Sequence, residues 1–184
     1  MITRDRDYLV GNFEEGEPHG KCTLQRDDGY YYDGAWENGE KCGYGQEILP
    51  DKSEYKGQFC NNERQGKGTM KFDDSLYSGN WEHGTMCGFG TLQYDDGRKY
   101  VGHFEENAFN GKGELTWPDG RKYEGDWVNG RKHGHGRYFD KNGSVFEGDF
   151  ENGKQNGQGK VKDSYGGILQ SGTWVSGVKV QDHD

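Results

Sequence analysis

Residues 100–113 read YVGHFEENAFNGKG, and residues 123–136 read YEGDWVNGRKHGHG. They align without a gap: Tyr100 on Tyr123, Gly102 on Gly125, Phe104 on Trp127, and the pair Gly111/Gly113 on Gly134/Gly136. In each, an aromatic residue, a glycine and a second aromatic residue alternate with other residues. A turn-prone Asn follows, and then a Gly-x-Gly pair. Alternation with period two is the mark of a β-strand, and Asn between two such runs tolerates the positive φ of a tight turn. One such stretch therefore reads as one β-hairpin.

The same frame runs through the whole chain. A glycine followed two residues later by Trp or Phe occurs at Gly11, Gly34, Gly57, Gly79, Gly102, Gly125, Gly148 and Gly172, at spacings of 22 to 24 residues. A fixed period of this size marks an array of stacked supersecondary units. The aromatic residue two positions earlier is Tyr32, Tyr55, Tyr77, Tyr100, Tyr123 or Phe146, with Leu9 and Gln170 in the terminal copies. The chain divides into a lead-in (1–8), an array (9–177) with units starting near 9, 32, 55, 77, 100, 123, 146 and 170, and a tail (178–184). Asp96-Gly97, Asp119-Gly120 and Asn142-Gly143 read as tight hairpin turns of the favoured type between units.

The predicted fold is all-β: an elongated, single-layer antiparallel strip of consecutive β-hairpins, twisted and grooved. One face carries the Tyr, Gly and Trp/Phe positions of the first strand with the Gly, Gly and Leu/Met/Val positions of the second. The other face is polar. Bare glycine backbone covered by a neighbouring ring pins sheet register, so the aromatic residues are expected on the inner side of a curved trough.

Composition agrees and excludes other classes. There are 33 Gly in 184 residues, 5 Trp, 12 Tyr and 9 Phe, and the net charge is −9. Disordered chains are poor in aromatic residues. Collagen needs Gly at every third residue and abundant Pro, whereas this chain has 3 Pro and no such period. No apolar run is long enough for a membrane helix, and Met1-Ile2-Thr3-Arg4-Asp5 lacks the apolar stretch of a secretory signal. The acidic balance argues against nucleic-acid binding, which needs a basic footprint.

The units at 100–113 and 123–136 resemble MORN repeats, whose pattern is Tyr-x-Gly-x-Trp-x-x-Gly-x-x-x-Gly-x-Gly. The resemblance covers residues 9 to about 177 and weakens at both ends, where the eighth copy lacks its Tyr and its Gly-x-Gly strand. It implies an extended strip of antiparallel hairpins. In this family the repeats are accessory modules in cytoskeletal scaffolds, ciliary structures, membrane-junction proteins and some enzymes. They serve as protein-binding, dimerising or phospholipid-binding devices.

The expected function is a non-catalytic protein–protein interaction scaffold that holds a peptide or helix of another protein, or a second copy of itself, along the groove. The partner-binding candidates are the groove aromatics Trp36, Tyr44, Tyr55, Tyr77, Trp81, Phe89, Tyr94, Tyr100, Phe104, Phe109, Trp117, Tyr123, Trp127 and Tyr138. Trp and Tyr dominate binding hot spots. The repeat-frame rings also have a purely structural use, stacking on one another and on glycine, so the off-frame Tyr44, Phe89, Tyr94, Phe109, Trp117 and Tyr138 are the better probes. The alternative is a membrane or phosphoinositide module, with Arg98, Lys99, Arg121 and Lys122 as a ridge for anionic ligands.

No Gly-x-Ser-x-Gly, P-loop or Gly-x-Gly-x-x-Gly motif is present, so no catalytic residue and no cofactor is expected. The four cysteines include no Cys-x-x-Cys, and Cys42 and Cys87 share a frame position two repeats apart, too far to bridge or share a metal. No metal is expected, and free thiols point to a reducing, cytoplasmic compartment. The family adds a cytoskeletal or ciliary association.

Overall fold

The computed structural model describes residues 7–180; of the lead-in and the tail, residues 1–6 and 181–184 lie outside the described residues. The protein is all-β. Sixteen strands follow one another in chain order in one open antiparallel sheet. Backbone contacts divide the chain into two units, 1–90 and 91–184.

In the first unit the strands are β1 (Tyr8–Glu14), β2 (Glu17–Gln25), β3 (Tyr31–Glu37), β4 (Glu40–Ile48), β5 (Glu54–Cys60), β6 (Glu63–Lys71), β7 (Ser75–Glu82) and the start of β8 (Thr85–Tyr94). The second unit holds β9 (Lys99–Glu105), β10 (Ala108–Thr116), β11 (Lys122–Val128), β12 (Arg131–Phe139), β13 (Val145–Glu151), β14 (Lys154–Lys162), β15 (Ile168–Val175) and β16 (Val178–Lys179).

Each repeat is one hairpin closed by two residues that both have positive φ, such as Asn38-Gly39 (49° and 81°) and Asn129-Gly130 (48° and 75°). That is the turn whose twist matches the strands it joins, and Asn and Gly are the residues that tolerate it. The turns between repeats differ from the sequence expectation. At Asp96-Gly97 and Asp119-Gly120 the glycine has positive φ and the aspartate does not. The aspartate carboxylates instead accept the backbone N–H of Arg98 and Arg121 two residues on, at 3.0 and 3.2 Å. This side-chain capping stabilises a longer loop in place of the two-residue turn.

Register comes from glycine. In the first unit Gly34 faces Gly45, Gly45 faces Gly57, Gly57 faces Gly68 and Gly68 faces Gly79. The second unit repeats this from Gly102 and Gly113 to Gly159 and Gly172. A row of directly opposed glycines thus crosses each unit at right angles to its strands.

The two glycines of each Gly-x-Gly pair have different physical causes. The first sits at an irregularity of the hairpin ladder, as between Gly34↔Gly45 and Trp36↔Lys41, and takes positive φ (95° at Gly43, 72° at Gly111). The second has ordinary strand backbone but no room: a Cβ on Gly113 would stand 2.5 Å from Cζ and 2.6 Å from Cε2 of Tyr100.

Candidate functional site

The chemistry-bearing residues fall on two faces, and the ring side of the glycine row decides which. The frame tyrosines Tyr32, Tyr55, Tyr77, Tyr100 and Tyr123 are fully buried. Each lays its ring over the opposed glycines of its own hairpin and donates its hydroxyl hydrogen to the backbone oxygen of Ala35, Gln58, Asn80, His103 or Asp126, at 2.8–3.0 Å. Burial pushes these phenols far above their ordinary range.

The frame Trp and Phe meet the tyrosines edge to face. In the first unit the contacts run Trp36–Tyr32–Phe59–Tyr55–Trp81–Tyr77, with ring centroids 5.0–5.5 Å apart. In the second they run Phe104–Tyr100–Trp127–Tyr123–Phe150–Phe146–Trp174, at 5.0–5.5 Å. Edge-to-face pairs each add about 0.5–1.5 kcal/mol beyond their burial. This column is the core of the protein. Trp36, Tyr55, Tyr77, Trp81, Tyr100, Phe104, Tyr123 and Trp127 are therefore used up in it.

A third frame position covers the column. Seven residues after the frame glycine stand Lys41, Arg64, Met86, Phe109 and Lys132. The Phe109 ring stacks on Tyr100 at 3.7 Å. Arg64 lies over Tyr55 and Trp81 at 5.3 and 5.6 Å. Lys41 Nζ lies over Tyr30, Tyr32 and Phe59 at 4.7, 5.0 and 5.7 Å. Lys132 Nζ lies over Trp117, Tyr123 and Tyr138 at 5.1, 5.1 and 4.5 Å, a cage of three rings. Burial, then the positive charge of Arg121, brings its amine down to about 8.

One polar cluster interrupts the column. Glu47 stands where other repeats have Leu24, Met70, Leu92 and Leu115, and its side chain is 8% exposed. It accepts hydrogen bonds from the Tyr30 hydroxyl at 2.6 Å, from Arg64 Nε and Nη2 at 2.9 and 2.7 Å, and from Lys41 Nζ at 3.2 Å. Lys41 also bonds the Tyr30 hydroxyl. Burial alone pushes the Glu47 carboxyl up, but the Tyr30 bond, Arg64 and Lys41 outweigh it and hold the group below its ordinary range. Burial lowers Lys41, which Glu47 partly opposes.

Sequence reading missed this cluster, because its four members are spread over three successive repeats, with only Lys41 and Glu47 in the same one, and no motif joins them. The available signal was a carboxylate at an apolar frame position.

The off-frame aromatics divide between the faces. Tyr44 and Phe89 each sit between the two glycines of a Gly-x-Gly pair, and the second glycine of each pair faces a tyrosine ring. Strand alternation then turns Tyr44 and Phe89 to the opposite face, where they are 67% and 54% exposed. Tyr44 borders a hollow of about 390 Å³ lined by Lys21, Asp33, Gly34, Ala35, Gly45 and Gln46. A hollow of about 420 Å³ lies in the second unit over Gly148, Gly159 and Gly172, beside His135 and Gln158.

Tyr94, Trp117 and Tyr138 are half-buried near the turns between repeats. Arg98 stacks on Tyr94 at 4.4 Å, and the Trp117 and Tyr138 rings meet at 6.3 Å.

The anionic-ligand candidates are largely neutralised. Arg98 pairs with Asp96 and Arg121 with Asp119, both at 2.7 Å, while Lys122 pairs with Glu124 and, at 3.6 Å, with Glu114. Lys99 is exposed. Among the described residues no group of three or more His, Cys, Asp or Glu is arranged to hold a metal ion.

The MORN repeat family matches the chain seven times, at residues 10–29, 32–54, 55–76, 77–97, 100–120, 123–145 and 146–163. The chain belongs to the MORN-repeat family. The hairpin of β15 and the two-residue β16 lies beyond the last matched residue. A comparison with curated protein sequences finds no match.

Among solved structures, the chain is similar to the SAS-4 (dCPAP) TCP domain of Drosophila melanogaster in complex with a proline-rich motif of Ana2 (dSTIL). The TM-score is 0.53 and the identity 11%, over 91% of this chain and 90% of that one. The TCP10c domain of Drosophila melanogaster Sas-4 alone gives a TM-score of 0.48 and 10% identity, over 91% and 99%. The first likeness is one of fold: an open sheet of consecutive strands.

Proposed function

We propose that this chain is a non-catalytic interaction scaffold that holds an extended segment of another protein across the face bearing Tyr44. The carrying observation is Tyr44 itself: a large ring, 67% exposed, beside a hollow floored by Gly34, Gly45 and Ala35. Exposed aromatic surface next to small residues is what binding hot spots are made of. The Lys21–Asp33 ion pair at 3.4 Å supplies a polar rim.

The buried column is the rigid floor, which limits the entropy lost on binding. The similar TCP domain is bound to a proline-rich motif; this supports an extended, proline-containing segment as the class of partner, since such segments are already ordered before docking. A cytoplasmic, cytoskeletal setting is the one this reading fits. Self-association through the strip's open ends remains the variant. The membrane alternative draws little support, because Arg98, Arg121 and Lys122 are each held by a neighbouring carboxylate.

The test is a titration of the isotope-labelled chain with a proline-rich decapeptide, followed by backbone amide shifts. Shifts clustered at β3 and β4, lost in Tyr44→Ala with an unchanged unfolding midpoint, are expected. No saturable shifts, or shifts that Tyr44→Ala leaves intact, would remove the proposal. Light scattering at two concentrations separates the self-association variant.

A further inference from the structure

Two of the four free cysteines form a pair that the repeat frame brings together. β4 and β5 pair with Gly43 opposite Phe59, Tyr44 opposite Gln58 and Gly45 opposite Gly57. Extending that register by one step from Gly43–Phe59, the last pair of the ladder, brings Cys42 level with Cys60. The two chain segments stay together beyond that point: the Asn62 N–H donates to the Lys41 carbonyl at 3.1 Å, one residue out of the β4–β5 register. Directly opposed residues of antiparallel strands have Cα atoms about 4.5–5.5 Å apart and side chains on one face, within the range a disulfide needs. Phe59 points into the aromatic column, so Cys60 points to the other face, where it is exposed. Cys42 is half-buried beside it, and each thiol lies within the other's electrostatic reach.

The equivalent positions in other repeats hold polar pairs, such as Gln65 with Glu82 and His133 with Glu151. Comparison of like frame positions conceals the pair, because strand pairing joins the residue before the Gly-x-Gly of one repeat to the residue after the Phe of the next. Among the described residues Cys22 is buried, hydrogen-bonded to the Asn12 carbonyl at 3.0 Å, and Cys87 stands two repeats from Cys42.

We infer that Cys42 and Cys60 are a redox-modification site, a cross-strand dithiol that takes low-molecular-weight disulfides such as glutathione disulfide as substrate. The exposed Cys60 thiolate attacks one sulfur of glutathione disulfide, forming a mixed disulfide and releasing one glutathione as thiol. Cys42 then gives up its proton and attacks the Cys60 sulfur, forming the Cys42–Cys60 bond and releasing the second glutathione. Two protein thiols are oxidised and one glutathione disulfide is reduced to two thiols, with no other reactant. The Cys42 thiol is pushed up by burial, then by the Glu37 carboxylate and Cys60 itself, which slows the second step without changing its products. The product staples the repeat that contains Tyr44 to the next repeat.

The test equilibrates the folded full chain in glutathione buffers of graded poise, quenches with acid, alkylates free thiols and maps the peptides by mass spectrometry. Expected is a Cys42–Cys60 linkage that forms in step with the poise, while Cys22 and Cys87 stay alkylated. In Cys42→Ser the reaction should stop at glutathione on Cys60, and in Cys60→Ser the remaining Cys42 should not be oxidised at a comparable rate. A Cys22→Ser/Cys87→Ser variant should behave as wild type. Wild-type protein that accumulates only the glutathione adduct of Cys60, that forms a disulfide-linked dimer, or that oxidises all four cysteines alike would overturn the inference.

Discussion

Replacing Gly113 by Ala puts the packing argument at its most exposed. Gly113 has strand backbone of ordinary φ, so chain entropy and strand propensity alone predict that Ala stabilises by roughly 0.5–1 kcal/mol. The structure predicts the opposite sign. The added methyl would stand 2.5 Å from Tyr100 Cζ and 2.6 Å from Cε2, about 1 Å inside contact distance. The ring cannot retreat, because Phe109 is stacked on it at 3.7 Å and Phe104 and Trp127 hold its edges at 5.2 and 5.5 Å.

Overpacking of this kind costs about 1–3 kcal/mol. Pushing the Tyr100 hydroxyl off the His103 carbonyl, now 2.9 Å away, leaves a buried group unpaired at about 1–3 kcal/mol more. After the propensity gain, a net loss of roughly 1–5 kcal/mol remains. Urea unfolding followed by Trp fluorescence, with hydrogen exchange of β9 and β10 as a local readout, measures it. Gly153→Ala is the control: its φ of +88° and open surroundings leave only backbone strain of about 1–2 kcal/mol. Gly113→Ala at or above wild-type stability would show that the ring-on-glycine contact does not set the register.

Other outcomes follow from the same geometry. Glu47→Ala strands Lys41 and Arg64, whose side chains are 12% and 18% exposed, and is expected to cost about 3–5 kcal/mol; a urea midpoint within error of wild type would dismiss the cluster as decoration. Because the folded Glu47 carboxyl lies below its unfolded value, its contribution is present above about pH 4.3 and is lost as pH falls through the folded pKa. Wild type should therefore lose more stability on acidification than Glu47→Gln. Lys132 has the reverse sense. Its amine titrates at about 8 in the fold and near 10.4 unfolded, so the unfolded chain binds more protons between these values and stability rises with pH across that window. Lys132→Met should remove that rise, by at most about 1.4 kcal/mol per pH unit, and parallel wild-type and variant curves would refute it. Tyr44→Ala should change stability by no more than about 0.5 kcal/mol, whereas Tyr100→Ala should cost about 3–5 kcal/mol; calorimetry of the two separates surface ring from core ring. Flotation with anionic vesicles at physiological salt should leave the chain unbound, since the arginine ridge is internally paired.

The backbone was legible from the sequence to an unusual degree, because a repeat states its register again with every copy. Tyr100, Gly102 and Phe104 announce their own alternation, and the Gly-x-Gly pair fixes the partner strand. What sequence could not supply was the geometry between copies. The paired Asp96-Gly97 and Asp119-Gly120 looked like tight turns, and only the carboxylate bonds to Arg98 and Arg121 show the longer loop. Tyr44 and Phe89 are expected from the sequence as off-frame rings of the groove, but their flanking glycines, read with strict alternation, turn them to the other face. Nothing in the sequence marks Lys41 and Arg64 as part of the core. Their stems lie along the aromatic column, and their heads find Glu47 17 residues away in the case of Arg64, a contact visible only once neighbouring hairpins are laid side by side.

The division of labour between frame and off-frame residues bears on how function must be sought in such an array. The frame Tyr, Gly and Trp/Phe are tied to one another so closely that a substitution at Trp81 or Trp127 removes core, and any loss of partner binding it causes is indistinguishable from loss of fold. The residue between the paired glycines is under no such tie. Through the repeats it is Tyr44, Lys67, Phe89, Lys112, His135 and Gln158, and its side chain stands on the face opposite the column. Lys112 there reaches only its neighbour Asp126, at 2.6 Å. The position that covers the column varies under constraint, since Lys41, Arg64, Phe109 and Lys132 each lie over a tyrosine ring and Met86 is buried. Two rows of variable residues are therefore carried on one invariant floor. One lies on the aromatic column; the other stands on the polar face, where Lys112, His135 and Gln158 meet Asp126, Asp149 and Thr173 of neighbouring strands. The proposed recognition surface lies on the second row, and substitutions along it are expected to change binding with little effect on stability.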